Sequence, residues 1–307
     1  MQWFKTYGAI VLAMIFWSFS FIWTKIAIES FPPVTLVILR LILASILLYG
    51  YAKISRSFQM LRKKDVPWFL LLALFEPFLY YIGETYGLTM MDATSASVII
   101  ATIPLFAPIL AFFLFKEQIG WTNILGIVVS VCGVLLVIYQ PGSSFDAALG
   151  GVLLMFMAVF SAVFYTATLR KISSHYKAVN VIFYQSLIGV LYFIPVVLIV
   201  DLPNFSSIKI SFESLQALLM LTIFASVLAF VLFARVIRVL GIAKVNVFVN
   251  LIPVFTAIFA WMILGQELNM IQFTGIVIVV SGLFVSQLSR KKKTSVKIEE
   301  ITKATEY

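Results

Sequence analysis

Charged residues are scarce in this chain. Asp, Glu, Lys and Arg together make up 11% of its 307 residues, whereas soluble domains carry about 25%. Apolar residues make up 62%, and a chain of this size has too few polar side chains to shield that much apolar surface from water. This balance excludes a soluble globular protein and predicts a multi-pass membrane protein whose solvent is lipid.

Cysteine and histidine each occur once, as Cys132 and His175. A single Cys excludes a disulfide framework and a Cys-based metal site. One His leaves a zinc site, or a Ser-His or Cys-His triad, almost nothing to build on. The sequence also has no Gly-rich phosphate loop, which excludes ATP as an energy source. We therefore expect no metal, no cofactor and no enzymatic activity.

The formal net charge of +9 is spread along the chain in a particular way. Basic residues lie in short loops between apolar runs, which is typical of membrane orientation and argues against a nucleic-acid partner. One set of loops collects almost all of them. The opposite set holds Glu29, Asp92 and Asp201, with Lys209 as its one clear basic residue. Because basic loops face the cytoplasm, both termini are predicted to be cytoplasmic.

Ten apolar segments are long enough to span a bilayer, which takes roughly 20 residues. Loop signals such as Phe31-Pro32-Pro33 separate them. The first segment has no small-residue cleavage site, which favours a retained helix over a signal peptide. The predicted helices 1 to 10 cover residues 8–28, 34–52, 67–88, 93–115, 121–140, 149–169, 179–200, 214–235, 241–264 and 270–288.

An internal repeat organises the chain. Residues 103–137 return at residues 252–286 with no gap, and identical residues recur at one constant offset. The matched pairs are Pro104 and Pro253, Phe106 and Phe255, Ile109 and Ile258, Gly126 and Gly275, Ile127 and Ile276, and Gly133 and Gly282. Because each repeat has five helices, an odd number, the second enters the membrane from the opposite side. The predicted fold class is an all-α membrane protein of two inverted five-helix repeats.

The predicted domains are a first repeat at residues 1–145, a second at 146–288, and a basic cytoplasmic tail at 289–307. Inverted repeats typically place a substrate site at their interface, near the membrane midplane. Small residues in helices 5 and 10 permit close contact between helices, which fits either packing or a dimer seam. A monomer and a homodimer both stay open, because one chain already contains both halves.

The chain resembles the drug/metabolite transporter superfamily, specifically the EamA-type ten-helix permeases. The residues that carry the resemblance are Trp17-Ser18-Phe19-Ser20-Phe21, Phe31-Pro32-Pro33 with Arg40, Ala93-Thr94-Ser95-Ala96-Ser97 with Pro104, Lys116-Glu117, Pro253-Val254-Phe255 and Gly265-Gln266-Glu267. Glu267 comes one residue later than the family's usual spacing. The resemblance implies export of amino acids and other small metabolites, and a central cavity lined by helices 1, 3, 4, 6, 8 and 9. Nucleotide-sugar carriers are more distant relatives.

Helix 3 carries the sharpest candidate for function. Glu76, Tyr80 and Glu84 are spaced i, i+4, i+8 and so share one helical face, and Pro77 should loosen the helix beside Glu76. An ionisable residue inside a membrane costs roughly 3 kcal/mol or more and usually faces the bundle interior. Glu76 therefore either binds a substrate cation or a proton, or pairs structurally with Arg40. For Glu84 we favour a solvated or structural role.

The other candidate site residues each have an architectural alternative. Arg40 is expected to be structural, because the family often carries an arginine here, with a substrate carboxylate as the alternative. The helix 9 amides either contact substrate or bond between helices. The aromatic residues wall a cavity or pack, and packing is favoured. The candidates beyond helix 3 are Arg40, Asn246, Asn250, Trp17, Phe21 and Tyr165.

The predicted function is secondary transport of a small polar metabolite, most plausibly an amino acid, outward across the bacterial cytoplasmic membrane by alternating access. Proton coupling through Glu76 and uncoupled export both stay open. A nucleotide-sugar or other metabolite carrier is the alternative within this class. A membrane-embedded enzyme is the alternative outside it, but Glu76 and Glu84 are roughly 12 Å apart along the helix axis, too far to share a proton. A sensor would need a soluble domain, for which no segment is long enough.

Overall fold

The computed structural model describes residues 2–115, 120–138, 145–172, 175–201 and 210–286. Within these residues, nine helices are long and apolar enough to cross a membrane, and a shorter apolar helix, Met270–Ser286, follows them. The protein is thus an all-α multi-pass membrane protein, as predicted. We number the helices α1 to α10.

The helices agree with the predicted segments except at their ends. For example, α1 begins at Gln2 and α6 at Phe145, each earlier than predicted. The described bounds are Gln2–Ala27 for α1, Pro33–Ile54 for α2, Lys63–Met90 for α3, Ala93–Ile100 with Ile103–Phe115 for α4, Trp121–Ile138 for α5, Phe145–Ile172 for α6, Ala178–Asp201 for α7, Phe212–Leu240 for α8, Ile242–Val249 with Leu251–Leu264 for α9, and Met270–Ser286 for α10.

The seam between α5 and α10 shows how the two repeats are related. A Cβ on Gly126 would meet the Gly282 carbonyl at 2.6 Å, and one on Gly133 would meet the Gly275 carbonyl at 2.8 Å. Gly126 and Gly275 are repeat mates, and so are Gly133 and Gly282. Exchanging each glycine for its mate turns the first contact into the second, so one two-fold relation describes both. Ser130 and Val279, which the offset exchanges, meet at the centre, where Ser130 Oγ donates to the Val279 carbonyl at 3.2 Å. The glycines thus pack within one chain, as the packing alternative predicts.

The remaining helix contacts follow the same relation. Helix α2 packs on its repeat mate α7, the contact of α3 with α6 has its counterpart in α8 with α1, and α4 with α6 has its counterpart in α9 with α1. Small residues bring α3 close to α6, where a Cβ on Gly87 would meet Met155. This pairing confirms the two inverted repeats.

Helix irregularities also recur at matched positions. The middle of α3, Leu74–Leu79, is π-helical, and so is the middle of α8, Leu221–Ala229. Helices α4 and α9 each break one turn before a proline of the repeat, at Ala101–Thr102 and at Asn250. Proline has no N–H for the helical hydrogen bond, which weakens the preceding turn. Irregular backbone inside a membrane is tolerated where protein or a cavity covers it.

Candidate functional site

A cavity lies between the two repeats, and six helices and Arg40 of α2 line it. The lining helices are α1, α3, α4, α6, α8 and α9, the set that the family resemblance implies. The lining residues are Trp17, Ser20, Phe21, Arg40, Glu76, Tyr80, Tyr81, Glu84, Ile100, Ile103, Ala162, Tyr165, Thr166, Phe230, Phe233, Val249 and Ile252.

Many of the lining residues occupy matched positions in the two repeats, but the charged residues are not matched in this way. At the repeat offset Tyr81 matches Phe230, Glu84 matches Phe233, Ile100 matches Val249 and Ile103 matches Ile252. The three charged lining residues, Arg40, Glu76 and Glu84, all come from the first repeat. The second repeat contributes aromatic and aliphatic side chains and the hydroxyl groups of Tyr165 and Thr166.

Glu76 lies where the helical backbone of α3 is interrupted. Its dihedral angles are extended, with φ −145° and ψ 117°, next to Pro77 as the sequence predicts. The side chain is 6% exposed and lines the cavity. Among the described residues, nothing forms a hydrogen bond or an ion pair with its carboxyl group. A buried carboxyl group that the protein leaves unpaired is costly, so this group is available to a ligand or a proton.

Glu84 is part of the same cavity, two helical turns farther along α3. It is 4% exposed, so the solvated interpretation of this residue is wrong: the bundle covers it although it lies near the end of the predicted helix. The Tyr80 hydroxyl donates to Glu84 Oε1 at 3.2 Å. Tyr80 therefore orients one carboxylate while lining the cavity beside the other.

Arg40 does not form the ion pair with Glu76 that the structural alternative requires. Its Nε donates a hydrogen bond to Ser226 Oγ of α8, and its guanidinium carbon lies 4.4 Å from the centre of the Tyr81 ring. Within the described chain, no acidic group lies within ion-pair distance of it, and its Nη atoms form no hydrogen bond. Two contacts thus fix the guanidinium and leave its outer fork free. Stacking on an aromatic face stabilises such a cation by about 0.5–2 kcal/mol.

The aromatic candidates both pack and line the cavity. The Trp17 ring lies 5.1 Å from the Phe230 ring and 4.8 Å from the Phe233 ring, which joins α1 to α8. Phe21 is fully buried on the same face of α1. The Tyr165 hydroxyl donates to Gln185 Oε1 at 3.1 Å, so Gln185 holds this lining residue in place.

The structure describes only one of the two amides predicted in α9. The side chain of Asn246 lies outside the described part of the structure. Asn250, at the break in α9, is 3% exposed and does not line the cavity. None of the described groups forms a hydrogen bond with its amide. The cavity therefore includes six of the eight predicted site residues: Glu76, Tyr80, Trp17, Phe21, Arg40 and Tyr165.

Sequence reasoning missed several cavity residues, chiefly Ser20, Tyr81, Phe230 and Phe233, and Ser226, which holds Arg40. Extending the repeat offset from α4 back to α3 could have found two of them. That offset also aligns identical residues in α3 and α8, namely Leu72 with Leu221 and Phe75 with Phe224. It matches Phe230 with Tyr81 and Phe233 with Glu84.

The site has the chemistry of a binding site for a charged or polar solute. It offers two carboxyl groups, one guanidinium, several hydroxyl groups and an aromatic wall. Among the described residues, no group of three or more His, Cys, Asp or Glu side chains is arranged to hold a metal. A cavity at the interface of inverted repeats is the arrangement of secondary transporters.

Comparison with known proteins identifies the family. The model of the EamA-like transporter family matches residues 4–139 and again residues 149–288. The chain belongs to the EamA-like transporter family, of the drug/metabolite transporter superfamily, and is a transporter rather than an enzyme.

Individual relatives are similar over nearly their whole length. The chain is 29% identical to the uncharacterized transporter YetK of Bacillus subtilis (strain 168), covering 93% of this chain and 88% of that one. It is 24% identical to a "Probable amino-acid metabolite efflux pump" of Escherichia coli (strain K12), covering 94% and 96%. A solved structure titled "Crystal structure of protein" has the same fold, with a TM-score of 0.69, 14% identity, and coverage of 92% and 98%.

Proposed function

We propose that this transporter exports small polar metabolites, most plausibly amino acids or related compounds, across the bacterial cytoplasmic membrane. The observation that carries the proposal is the buried, unpaired carboxyl group of Glu76 in a cavity between the repeats. The name of the Escherichia coli relative, a probable amino-acid metabolite efflux pump, agrees with it. A nucleotide-sugar substrate is disfavoured, because two carboxylates in the lining would repel its phosphates.

The mechanism we propose is alternating access about this cavity. The repeats at residues 1–145 and 146–288 rock against each other, and the cavity opens to one side and then to the other. The matched irregularities in α3 and α8, and the matched breaks in α4 and α9, give both repeats the same places to bend. Two cytoplasmic termini, as the basic loops predict, would set the direction of this cycle in the membrane.

Glu76 is the residue we assign to proton coupling. None of the described residues pairs with its carboxyl group, so we expect a proton or a cationic group of the substrate to neutralise it. Binding of one then displaces the other, which exchanges a proton for a substrate. The other lining candidates, Tyr80, Trp17, Phe21, Arg40 and Tyr165, are assigned to substrate contact.

The test is transport of labelled amino acids in proteoliposomes with and without an imposed pH gradient. We expect accumulation only with the gradient, and we expect Glu76→Gln to remove the dependence on it. Glu213→Gln changes an exposed carboxylate at the start of α8 and is the matched control. Equal transport and equal pH dependence in Glu76→Gln and wild type would refute the coupling role, and absence of amino-acid flux would refute the substrate class.

A further inference from the structure

We infer that the substrate is an α-amino acid with a basic side chain, of the lysine or ornithine type, bound as a monocation. This inference rests on the proposed function and names the substrate class of the same cavity. It follows from the charges of the lining, from the open side of the Arg40 guanidinium, and from the aromatic residues of the cavity wall.

The lining carries an excess of negative charge. Glu76 and Glu84 face one cation, Arg40, and the other lining residues are uncharged. Once the proton has left Glu76 and both carboxylates are ionised, the cavity has one net negative charge that no described lining residue balances. An unbalanced charge in a low-dielectric interior is strongly unfavourable. A substrate with one net positive charge removes it, whereas a neutral amino acid leaves it in place and an acidic one increases it.

The three charged groups also match the three charges of a basic amino acid. Glu76 and Glu84 lie eight positions apart on α3, and both line the cavity. A compound with two amino groups can pair one of them with each carboxylate through charge-assisted hydrogen bonds.

Arg40 is placed to take the carboxylate of such a substrate. Ser226 holds its Nε and Tyr81 supports the face of its guanidinium, while its Nη atoms form no hydrogen bond with the described residues. The open side of a guanidinium binds a carboxylate through two parallel hydrogen bonds. A diamine has no carboxylate to accept hydrogen bonds from these Nη atoms. The open guanidinium therefore favours an amino acid over a diamine.

The aromatic part of the cavity wall fits the apolar stem of the side chain. Trp17, Phe230 and Phe233 form one packed aromatic surface along the cavity. Such a surface covers methylene groups and also attracts a cation that lies over a ring face. The cavity thus recognises the two ends of the substrate by charge and its middle by apolar contact.

Competition in proteoliposomes tests the inference on the wild-type protein. Uptake of labelled lysine is measured against unlabelled lysine, ornithine, leucine, glutamate and cadaverine, which has both amino groups but no carboxylate. We expect lysine and ornithine to compete at least about 10-fold better than the other three, because each of those leaves a buried charged group unpaired. Leucine competing as well as lysine would overturn the inference.

Glu84→Gln sharpens the test, because it removes the second counter-ion and leaves Glu76 in place. We expect the preference for lysine over leucine to fall about 10-fold, while Glu213→Gln preserves it. An unchanged preference in a Glu84→Gln protein that elutes as wild type from a gel-filtration column would overturn the inference. Transport of leucine without lysine would refute this inference alone, and absence of any amino-acid flux would refute the proposed function with it.

Discussion

Helices α3 and α8 have related backbones and opposite chemistry. Both have a π-helical stretch in the middle, which in α3 is interrupted at Glu76, and both line the cavity from matched positions. Yet at the repeat offset Glu76 of α3 corresponds to Ala225 of α8, and Glu84 corresponds to Phe233. The repeat thus fixes where the backbone bends, while the first repeat alone supplies the charge. A symmetric scaffold can open to either side, whereas binding one asymmetric solute calls for an asymmetric lining.

The largest expected effect comes from making α3 resemble α8 at its charged position. Glu76→Ala copies Ala225, removes the unpaired carboxyl group and should lower the initial rate of substrate transport by about 100-fold, since hydrogen bonds to charged groups contribute about 1.5–3 kcal/mol. The measurement is initial uptake in proteoliposomes at matched protein density. Glu213→Ala is the control and should transport as wild type does. A rate within about twofold of wild type in Glu76→Ala would mean that the charge asymmetry has no part in transport.

The sequence predicted the scaffold far better than the site. Ten helices and the inverted repeat follow from apolar length and from a constant offset, because lipid leaves few alternatives to a helix. Glu76 was identifiable because an ionisable residue in a membrane is rare. The role of Ser226, and the absence of an Arg40–Glu76 ion pair, depend on the rotation of α8 about its axis. No local pattern encodes that rotation, since it is set by packing against α1 and α2.

The burial of Glu84 was misjudged for a related reason. Its position near the end of the predicted helix suggested access to water, but α3 extends to Met90 and the bundle covers this turn. The repeat offset matches Glu84 with Phe233, a large apolar residue in α8. Matching the two repeats position by position therefore predicts burial better than the distance from a helix end does.

The second prediction tests the symmetric part of the comparison, the seam between α5 and α10. Gly133→Ala and Gly282→Ala change repeat mates, and each new Cβ would meet backbone atoms at 2.7–2.8 Å. Overpacking of this kind costs about 1–3 kcal/mol, and both variants should lose about the same stability. Thermal unfolding in detergent measures the loss. Gly50→Ala in α2 has nothing within 4 Å of its new Cβ and should be neutral or slightly stabilising.

A clear inequality between those two variants would be informative. The seam contacts of Gly133 and Gly282 are exchanged by the two-fold relation, so unequal losses would show that one repeat tolerates displacement better than the other. The two repeats would then differ in stiffness as well as in charge. Equal losses of stability would mean that the repeats differ at the cavity but not at this seam.

A third, smaller effect is expected at Ser226, which matches Pro77 in the first repeat. Ser226→Ala removes the hydrogen bond to Arg40 Nε and leaves the stacking on Tyr81. The guanidinium should become less fixed, and substrate affinity should weaken by about 1 kcal/mol, or roughly fivefold in KM. Ser281→Ala, an exposed serine of α10, is the control. An unchanged KM with a lower maximal rate would instead assign Ser226 to the conformational change.

The smallest effect concerns the residues that begin α4 and α9. Asp92 caps α4 by accepting from the Ser95 amide at 2.8 Å, whereas its repeat mate Gly241 begins α9 without a side-chain cap. Asp92→Gly copies the second repeat, and replacing a capping residue by Gly costs only a few tenths of a kcal/mol. Thermal unfolding beside Asp92→Asn, which keeps a capping oxygen, measures this cost.

A larger loss of stability in Asp92→Gly would indicate that Asp92 has a second role. Its Oδ1 also accepts a hydrogen bond from Gln266 Nε2 at 2.7 Å, which ties the start of α4 to the connection after α9. If that bond holds the two repeats together at this end of the bundle, Asp92→Gly should destabilise by well over a few tenths of a kcal/mol. Gln266→Ala should then reproduce most of the loss, because it removes the tie and leaves the cap. A loss confined to Asp92→Gly assigns the effect to the cap, and the two repeats then differ here in local helix chemistry alone.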